Sequence, residues 1–313
     1  MEIRGLGGCV ASRVLVAIVV VLALSGCGAK SSSSVDAGPP TPPDGSIPAD
    51  LPLLVADYAS CAGSAAPLAD GRGPIVVVAQ DLTVPAALFS DLTVRYFEGN
   101  DVHDAPCVAP GCQEVVVGPD GSASLMSQLG GWSAYRVFGR PGPTPSTTPL
   151  DSVAYNVRAP SVAGGVLDVA VVPDSLGTAL VGCCDRDAVP GSGVLLVRVV
   201  DCAGNPVAGA VVVAYHGDAP LLTRAPSAAA RYVYLGDDRF PVGDATSTMG
   251  SGRAAALDLP VDTVPVRIEA WGPTAAGLTL LGCESVPLLA DGVALVDLGP
   301  LRTDYPPGHP CAR

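Results

Sequence analysis

The chain has 313 residues and a formal net charge of −13, with 17 basic against 30 acidic side chains. That balance suits a solvated acidic surface and excludes nucleic acid as a partner, because phosphates demand a basic face. Hydrophobic residues make up 49% of the chain but aromatics only 4%, and Gly and Pro number 37 and 31, a mixture that favours strands and turns in one large domain or two ordinary ones. The single lysine, Lys30, stands close to the N-terminus, which removes phosphate-cradling loops and Schiff-base chemistry. No G-x-S-x-G occurs, so a nucleophile elbow is absent too.

In chain order, Arg4 and Arg13 come with an apolar run over 14–24. Its length of about eleven residues suits a secretory signal core, and a membrane-spanning helix needs roughly 20. The run closes on Leu24-Ser25-Gly26-Cys27, which resembles the lipobox of bacterial lipoproteins. The resemblance implies removal of residues 1–26 as a lipoprotein signal peptide and acyl chains on Cys27, with a lipid bilayer as partner. A plain cleaved signal and a retained span are the alternatives. Each buried acyl methylene would contribute roughly 0.8 kcal/mol to anchoring. In that family Asp after the cysteine accompanies inner-membrane retention, so Gly28 implies routing to the outer membrane of the cell envelope. Residues 27–50, the lipidated cysteine and a Ser/Pro-rich stretch, read as a disordered tether whose ends sit roughly 25–30 Å apart.

Two copies of one unit follow, expected over 51–178 and 179–313. IVVVAQD up to Asp81 lines up with VLLVRVVD up to Asp201, and DLTVRYF up to Phe97 with AVVVAYH up to His216. The stretch from Gly121 to Gly139 matches that from Gly252 to Gly272, and GGVLDVAVVP ending at Pro173 matches DGVALVDLGP ending at Pro300. Each copy holds six or seven short Val-rich strands between Gly, Pro, Asp and Asn clusters, which argues an all-β fold of two tandem immunoglobulin-like or transthyretin-like β-sandwiches. Asp201-Cys-Ala-Gly-Asn-Pro-Val207 supplies turn residues between strands. The Ala-rich segment 221–230, broken by Pro226, reads as an inserted loop.

The second copy is similar to the carboxypeptidase regulatory-like, or transthyretin-like, domain. The residues concerned are the strand opening at Gly193, the D-x-x-G-x-P-V-x-G-A turn from Asp201, and the G-x-A-x-L-x-L-P strand ending at Pro260. The resemblance spans about 110 residues and implies a small β-sandwich that accompanies enzymes or stacks in surface proteins, with no catalytic residues of its own. In the first copy TVPAALFSD replaces the turn.

Cys9 leaves with the signal, so beyond Cys27 eight cysteines are disulfide candidates: Cys61, Cys107, Cys112, Cys183, Cys184, Cys202, Cys283 and Cys311. An even count outside the cytoplasm reads as up to four disulfides, each worth about 2–4 kcal/mol. Cys107 and Cys112 flank a short loop and are expected to join. Cys202 with Cys283, and Cys61 and Cys311 with one each of Cys183 and Cys184, would then bracket each copy; a vicinal Cys183–Cys184 bridge is the alternative. No C-x-x-C occurs and the three histidines lack metal-ligand spacing, so no metal or cofactor is expected.

His103 sits between Asp101 and Asp104 in an acidic loop where a general base or metal site could be built. His216 follows a strand near Asp218 and suits a rim position. His309 lies between prolines and should be exposed. Asp185, Asp187, Asp237 and Asp238 suit turns or a calcium site lacking ordered ligand spacing. Trp132 and Trp271 are too few for a sugar platform, and Trp271 suits a core. The reading is therefore a non-catalytic binding or structural module whose partner is an envelope protein or glycan met through loops or a strand edge. The alternatives are a hydrolase or metal-binding protein built around His103 and an accessory subunit of a separately encoded enzyme.

Overall fold

The computed structural model describes residues 53–54, 58, 60–61, 71–108, 111–139, 148–183, 189–221, 231–275, 277–302, 305 and 309–312. The expected signal peptide, the tether, Cys27, Cys184, Asp185, Asp187 and most of the Ala-rich loop lie outside them. The described chain is all-β apart from one short helix.

Seven strands form the first repeat: β1 (Arg72–Asp81), β2 (Thr93–Glu98), β3 (Cys112–Val116), β4 (Ser122–Gln128), β5 (Trp132–Val137), β6 (Ser152–Arg158) and β7 (Val166–Val171). β1 pairs antiparallel with β4 and parallel with β7, while the other strands run in the order β3-β2-β5-β6. The second repeat holds β8 (Gly193–Val199), β9 (Val211–His216), β10 (Ala219–Pro220), β11 (Arg231–Leu235), β12 (Pro241–Val242), β13 (Arg253–Leu259), β14 (Val266–Thr274), β15 (Gly277–Val286) and β16 (Val293–Leu298). Its pairings repeat those of the first. β8 pairs antiparallel with β13 and parallel with β16, beside the order β10-β9-β14-β15. Strands that match in sequence thus have matching partners, and β11 and β12 are an addition beyond β13.

Local chemistry explains the elements. Along β1 the alternation of Ile75, Val77 and Ala79, all fully buried, with outward neighbours is the period-2 signature of a strand packed on one face. After β8 the Asp201 carboxylate accepts hydrogen bonds from the backbone N–H groups of Ala203 and Asn205 at 2.9 and 2.8 Å, closing the expected turn. Gly252, at φ +66°, opens β13 where a Cβ would lie 2.7 Å from the Val199 carbonyl oxygen, so the position needs glycine on two counts.

The two sandwiches do not stand apart as separate bodies. β16 pairs in parallel with β8 on one side and with β6 on the other, where Val293 to Val296 face Ser152 to Tyr155. The result is one nine-stranded sheet, β12-β11-β13-β8-β16-β6-β5-β2-β3, that runs through both repeats. Alternate residues of this sheet feed two cores. Leu196, Ala255 and Leu295 pack with Ile75 and Val169 of the three-stranded sheet. Their neighbours Leu195, Ala254 and Ala294 pack with Val212, Ile268 and Leu281 of the four-stranded sheet. Burial of one such Leu or Ile contributes roughly 1.5–3 kcal/mol. Tyrosines tie the layers: the Tyr135 hydroxyl accepts from Ala170 N–H at 2.7 Å, and that of Tyr232 from Ala214 N–H at 2.6 Å.

Helix α1 (Asp174–Gly182) links the repeats, burying Leu176 and Leu180 one turn apart. The expected boundary at 178/179 falls inside it. The lead-in ahead of β1 also touches the second repeat. Leu54 donates its N–H to the Pro273 carbonyl at 2.8 Å and packs over Gly272, and Tyr58 packs against the core of the second repeat. The lead-in thus lies on the second repeat before the chain enters the first.

That path also corrects the expected cysteine pairing. Among the described residues the disulfides are Cys61–Cys202, Cys107–Cys112 and Cys283–Cys311. Only the short loop pairs as expected. Cys61 pairs with Cys202 and not with Cys183, because the lead-in brings it to the turn after β8. Cys202 in that turn is separated from Cys283, which packs with Val213, Trp271 and Cys311 in a third, smaller core on β9, β14 and β15. None of the three bonds includes Cys183, which caps α1 at its C-terminal end.

Candidate functional site

The residues singled out around His103 do not converge. His103 is exposed, its ring set edge-on to Phe97 at 5.3 Å between centroids. Asp101 is exposed, and Asp104 pairs with Arg136, which also holds Asp151 at 2.8 Å. Arg95 donates to the carbonyl oxygens of His103, Asp104 and Ala105 at 3.3–3.4 Å, so the loop is clamped as a surface feature. No group of three or more metal-type ligands occurs among the described residues.

The other candidates resolve into structural roles. His216 takes the rim position expected of it, but its Nε2 meets Asp262 at 2.8 Å rather than Asp218. The Asp262 carboxyl is held below its ordinary pKa by the Val264 N–H and then by His216. His309 is half-buried and stacks on Tyr305 at 4.6 Å, because Cys311 pins the tail; burial and the nearby Arg302 depress its pKa. Asp238 serves a turn, accepting from Phe240 N–H at 3.1 Å. Trp271 is buried as expected and donates its Nε1–H to Glu269 at 3.0 Å. The Trp132 ring lies under the guanidinium groups of Arg158 and Arg302 at 4.7 and 4.2 Å.

Among the described residues a concave site lies elsewhere, at the seam between the repeats. A cavity of about 560 Å³ is floored by the shared sheet at β8, β16, β6 and β5, and walled by β7 and the end of β1. Strand alternation builds its floor: Leu196 and Arg198 on β8, and Leu295 and Asp297 on β16, share one face. On β13 the same face carries Arg253. In the sheet register Arg253 stands directly opposite Arg198, and Arg198 directly opposite Asp297. Like charges directly opposite one another are destabilising, and a single carboxylate offsets them.

Arg198 makes a bidentate pair with Asp297, with Nε to Oδ1 at 2.9 Å. A third cation, Arg239, enters from the β11–β12 turn and donates to the Leu82 carbonyl of the first repeat at 2.6 Å. Its backbone is left-handed, at φ +67°, a conformation costing on the order of 1–3 kcal/mol outside glycine. Among the described residues the Arg253 guanidinium has no hydrogen-bond or ion-pair partner; burial, then Arg198, push its pKa down to about 10. The same three arginines also line a recess of about 400 Å³ beside Asp237 and Gly250.

The remaining carboxylates of the cavity are engaged. Asp81 accepts from the N–H groups of Thr83 and Val84 and from the Thr83 hydroxyl, and exposed Asp168 holds Gln80 at 2.7 Å. The sequence reading missed this cluster, because its arginines are far apart along the chain and each looks like an ordinary surface cation. The one signal was a charged residue at the inward phase of three otherwise apolar strand faces.

No protein-family model matches the chain, and no curated protein does. Among solved structures, the shaft pilin SpaA from Lactobacillus rhamnosus GG is 9% identical, covering 74% of this chain and 98% of its own at a TM-score of 0.22. The minor pilin GBS52 of Streptococcus agalactiae is 12% identical over 76% of this chain and 100% of its own, with a TM-score of 0.19. The Bacillus anthracis TIE protein is 13% identical over 73% of this chain and 34% of its own, with a TM-score of 0.21. At that level of superposition neither residues nor roles carry over.

Proposed function

We propose that the protein is a cell-envelope lipoprotein in which acylated Cys27 and a short tether hold a non-catalytic binding or structural module at a bilayer surface of the envelope, the outer membrane by the routing that Gly28 implies. The observation that supports a structural or binding role best is the seam. Two repeats share one sheet, and Cys61–Cys202 fastens the lead-in to the second repeat. A load passed from the tether therefore meets a cross-linked sheet near its point of entry, and the loops and strand edges of both repeats are held in fixed relation for a partner. The second repeat, with its Asp201 turn and Gly252 strand, is the part to relate to the carboxypeptidase regulatory-like domains. The partner is an envelope protein or glycan.

The anchor is tested by labelling cells with palmitate. Incorporation in the wild type and its loss in Cys27→Ala, with the variant released from membranes, is the expected result. Labelling that persists in Cys27→Ala would contradict the anchor.

A further inference from the structure

We propose that the arginine end of the cavity between the repeats binds a small phosphate-bearing ligand, held by Arg253, Arg239 and Arg198. The inference is independent of how the chain is anchored. It starts from a register that packing alone would disfavour: two guanidinium groups face each other on β13 and β8, and only Asp297 stands beside them. Asp297 is taken by Arg198 in a bidentate pair. Arg239 has used one donor on the Leu82 carbonyl, and Arg253 has used none of its guanidinium donors among the described residues.

Two positive charges with open donor forks thus face one cavity in a chain whose net charge is −13. Guanidinium forks match oxyanions bidentately, and a tetrahedral dianion balances two such charges where a carboxylate balances one. The one further carboxylate beside these arginines, the exposed Asp237, lines the adjoining recess and is not among the residues that line the cavity.

Size and lining add the class of ligand. About 560 Å³ lies within the range of small-molecule sites. Leu82, Leu196, Leu295 and Tyr135 are among the residues that line the cavity with the arginines, so a phosphate ester with a compact apolar body fills the space better than the free ion. Arg239 comes from the second repeat and its acceptor Leu82 from the first, which makes the site a property of the fused pair and not of either repeat.

The test is calorimetric titration of the full chain in detergent at low ionic strength, using inorganic phosphate, phenyl phosphate and benzoate as probes. Saturable binding of inorganic phosphate is expected, with phenyl phosphate tighter and benzoate at least tenfold weaker than phenyl phosphate. Arg253→Gln and, separately, Arg239→Gln should each weaken phosphate at least tenfold, while Arg95→Gln on β2, which does not line the cavity, leaves it unchanged. Without ligand Arg253→Gln should melt no lower than the wild type, since its guanidinium holds nothing in place. Absence of saturable phosphate binding, affinity unchanged in Arg253→Gln, benzoate as tight as phenyl phosphate, or a lowered melting temperature of unliganded Arg253→Gln would each overturn the proposal.

Discussion

Val296 and Tyr155 stand in parallel register across the seam at which two repeats become one sheet. Both are buried, and both point to the core that the four-stranded sheet of the second repeat closes. Tyr155 belongs to the first repeat, so each repeat completes part of the other's interior. Cooperativity between the halves follows from this shared burial.

A charge placed on the seam should therefore damage both halves together. Ala294 is fully buried between Leu195 and Val153 in the register of β16. Ala294→Asp buries an unpaired carboxylate, and a loss of more than about 3 kcal/mol is expected. Urea denaturation followed by tyrosine and tryptophan signals checks it; a change under about 1 kcal/mol would mean that the seam is not closed.

The three disulfides differ in the chain they close, at sequence separations of 141, 28 and 5 for Cys61–Cys202, Cys283–Cys311 and Cys107–Cys112. Loop entropy alone assigns them about 5, 3.6 and 2 kcal/mol. Paired Cys→Ser variants should lose stability in that order by denaturant midpoint. A Cys61/Cys202 variant as stable as the wild type would show that the lead-in is not fastened to the second repeat.

Gly252→Ala should be destabilising by about 1–3 kcal/mol, because the new Cβ meets the Val199 carbonyl and the backbone is left-handed. Thermal unfolding reads the cost. Gly204, also left-handed at φ +80° but with open space around its Cβ position, should tolerate Ala better.

Alkaline pH should unfold the body. Burial raises the phenol pKa values of Tyr135, Tyr155 and Tyr232, and pushes that of Tyr234 up to about 12. A raised folded-state pKa means that the folded protein binds more protons above pH 10, so the stability is complete below the unfolded value of 10 and falls as pH rises toward 12. Tyr234 alone accounts for roughly 2–3 kcal/mol over that window. Arg253 works the other way, since its lowered pKa adds stability as pH rises past 10, but a single arginine is outweighed by four tyrosines. Absorbance of phenolate should rise steeply with loss of circular dichroism; gradual titration near pH 10 in a folded protein would contradict the burial.

The strand complement and the duplication were legible because both rest on local signals. Alternating Val and Ile mark strands, and the Asp201 turn and Gly252 restate chain geometry residue by residue. What joins the repeats was not legible. Alternation says which face of β6 or β16 is inward but not which strand lies beside it, so the parallel pairing of Val293 with Ser152 leaves no mark in either segment. Cysteine pairing failed for the same reason: the path of Leu54 and Tyr58 across the second repeat is a tertiary fact, and Cys61 follows it. Helix α1 escaped because its two buried leucines, Leu176 and Leu180, give too short a run for a 3.6-residue period. At the candidate site, Arg198 and Arg253 are outliers on apolar faces, yet only the sheet register sets them opposite each other.

The fusion of the repeats is tested most directly by differential scanning calorimetry of the oxidised protein. A single transition, with equal calorimetric and van't Hoff enthalpies, is the expected result for two halves that share one sheet and each other's core. Two resolved transitions, one per repeat, would contradict it.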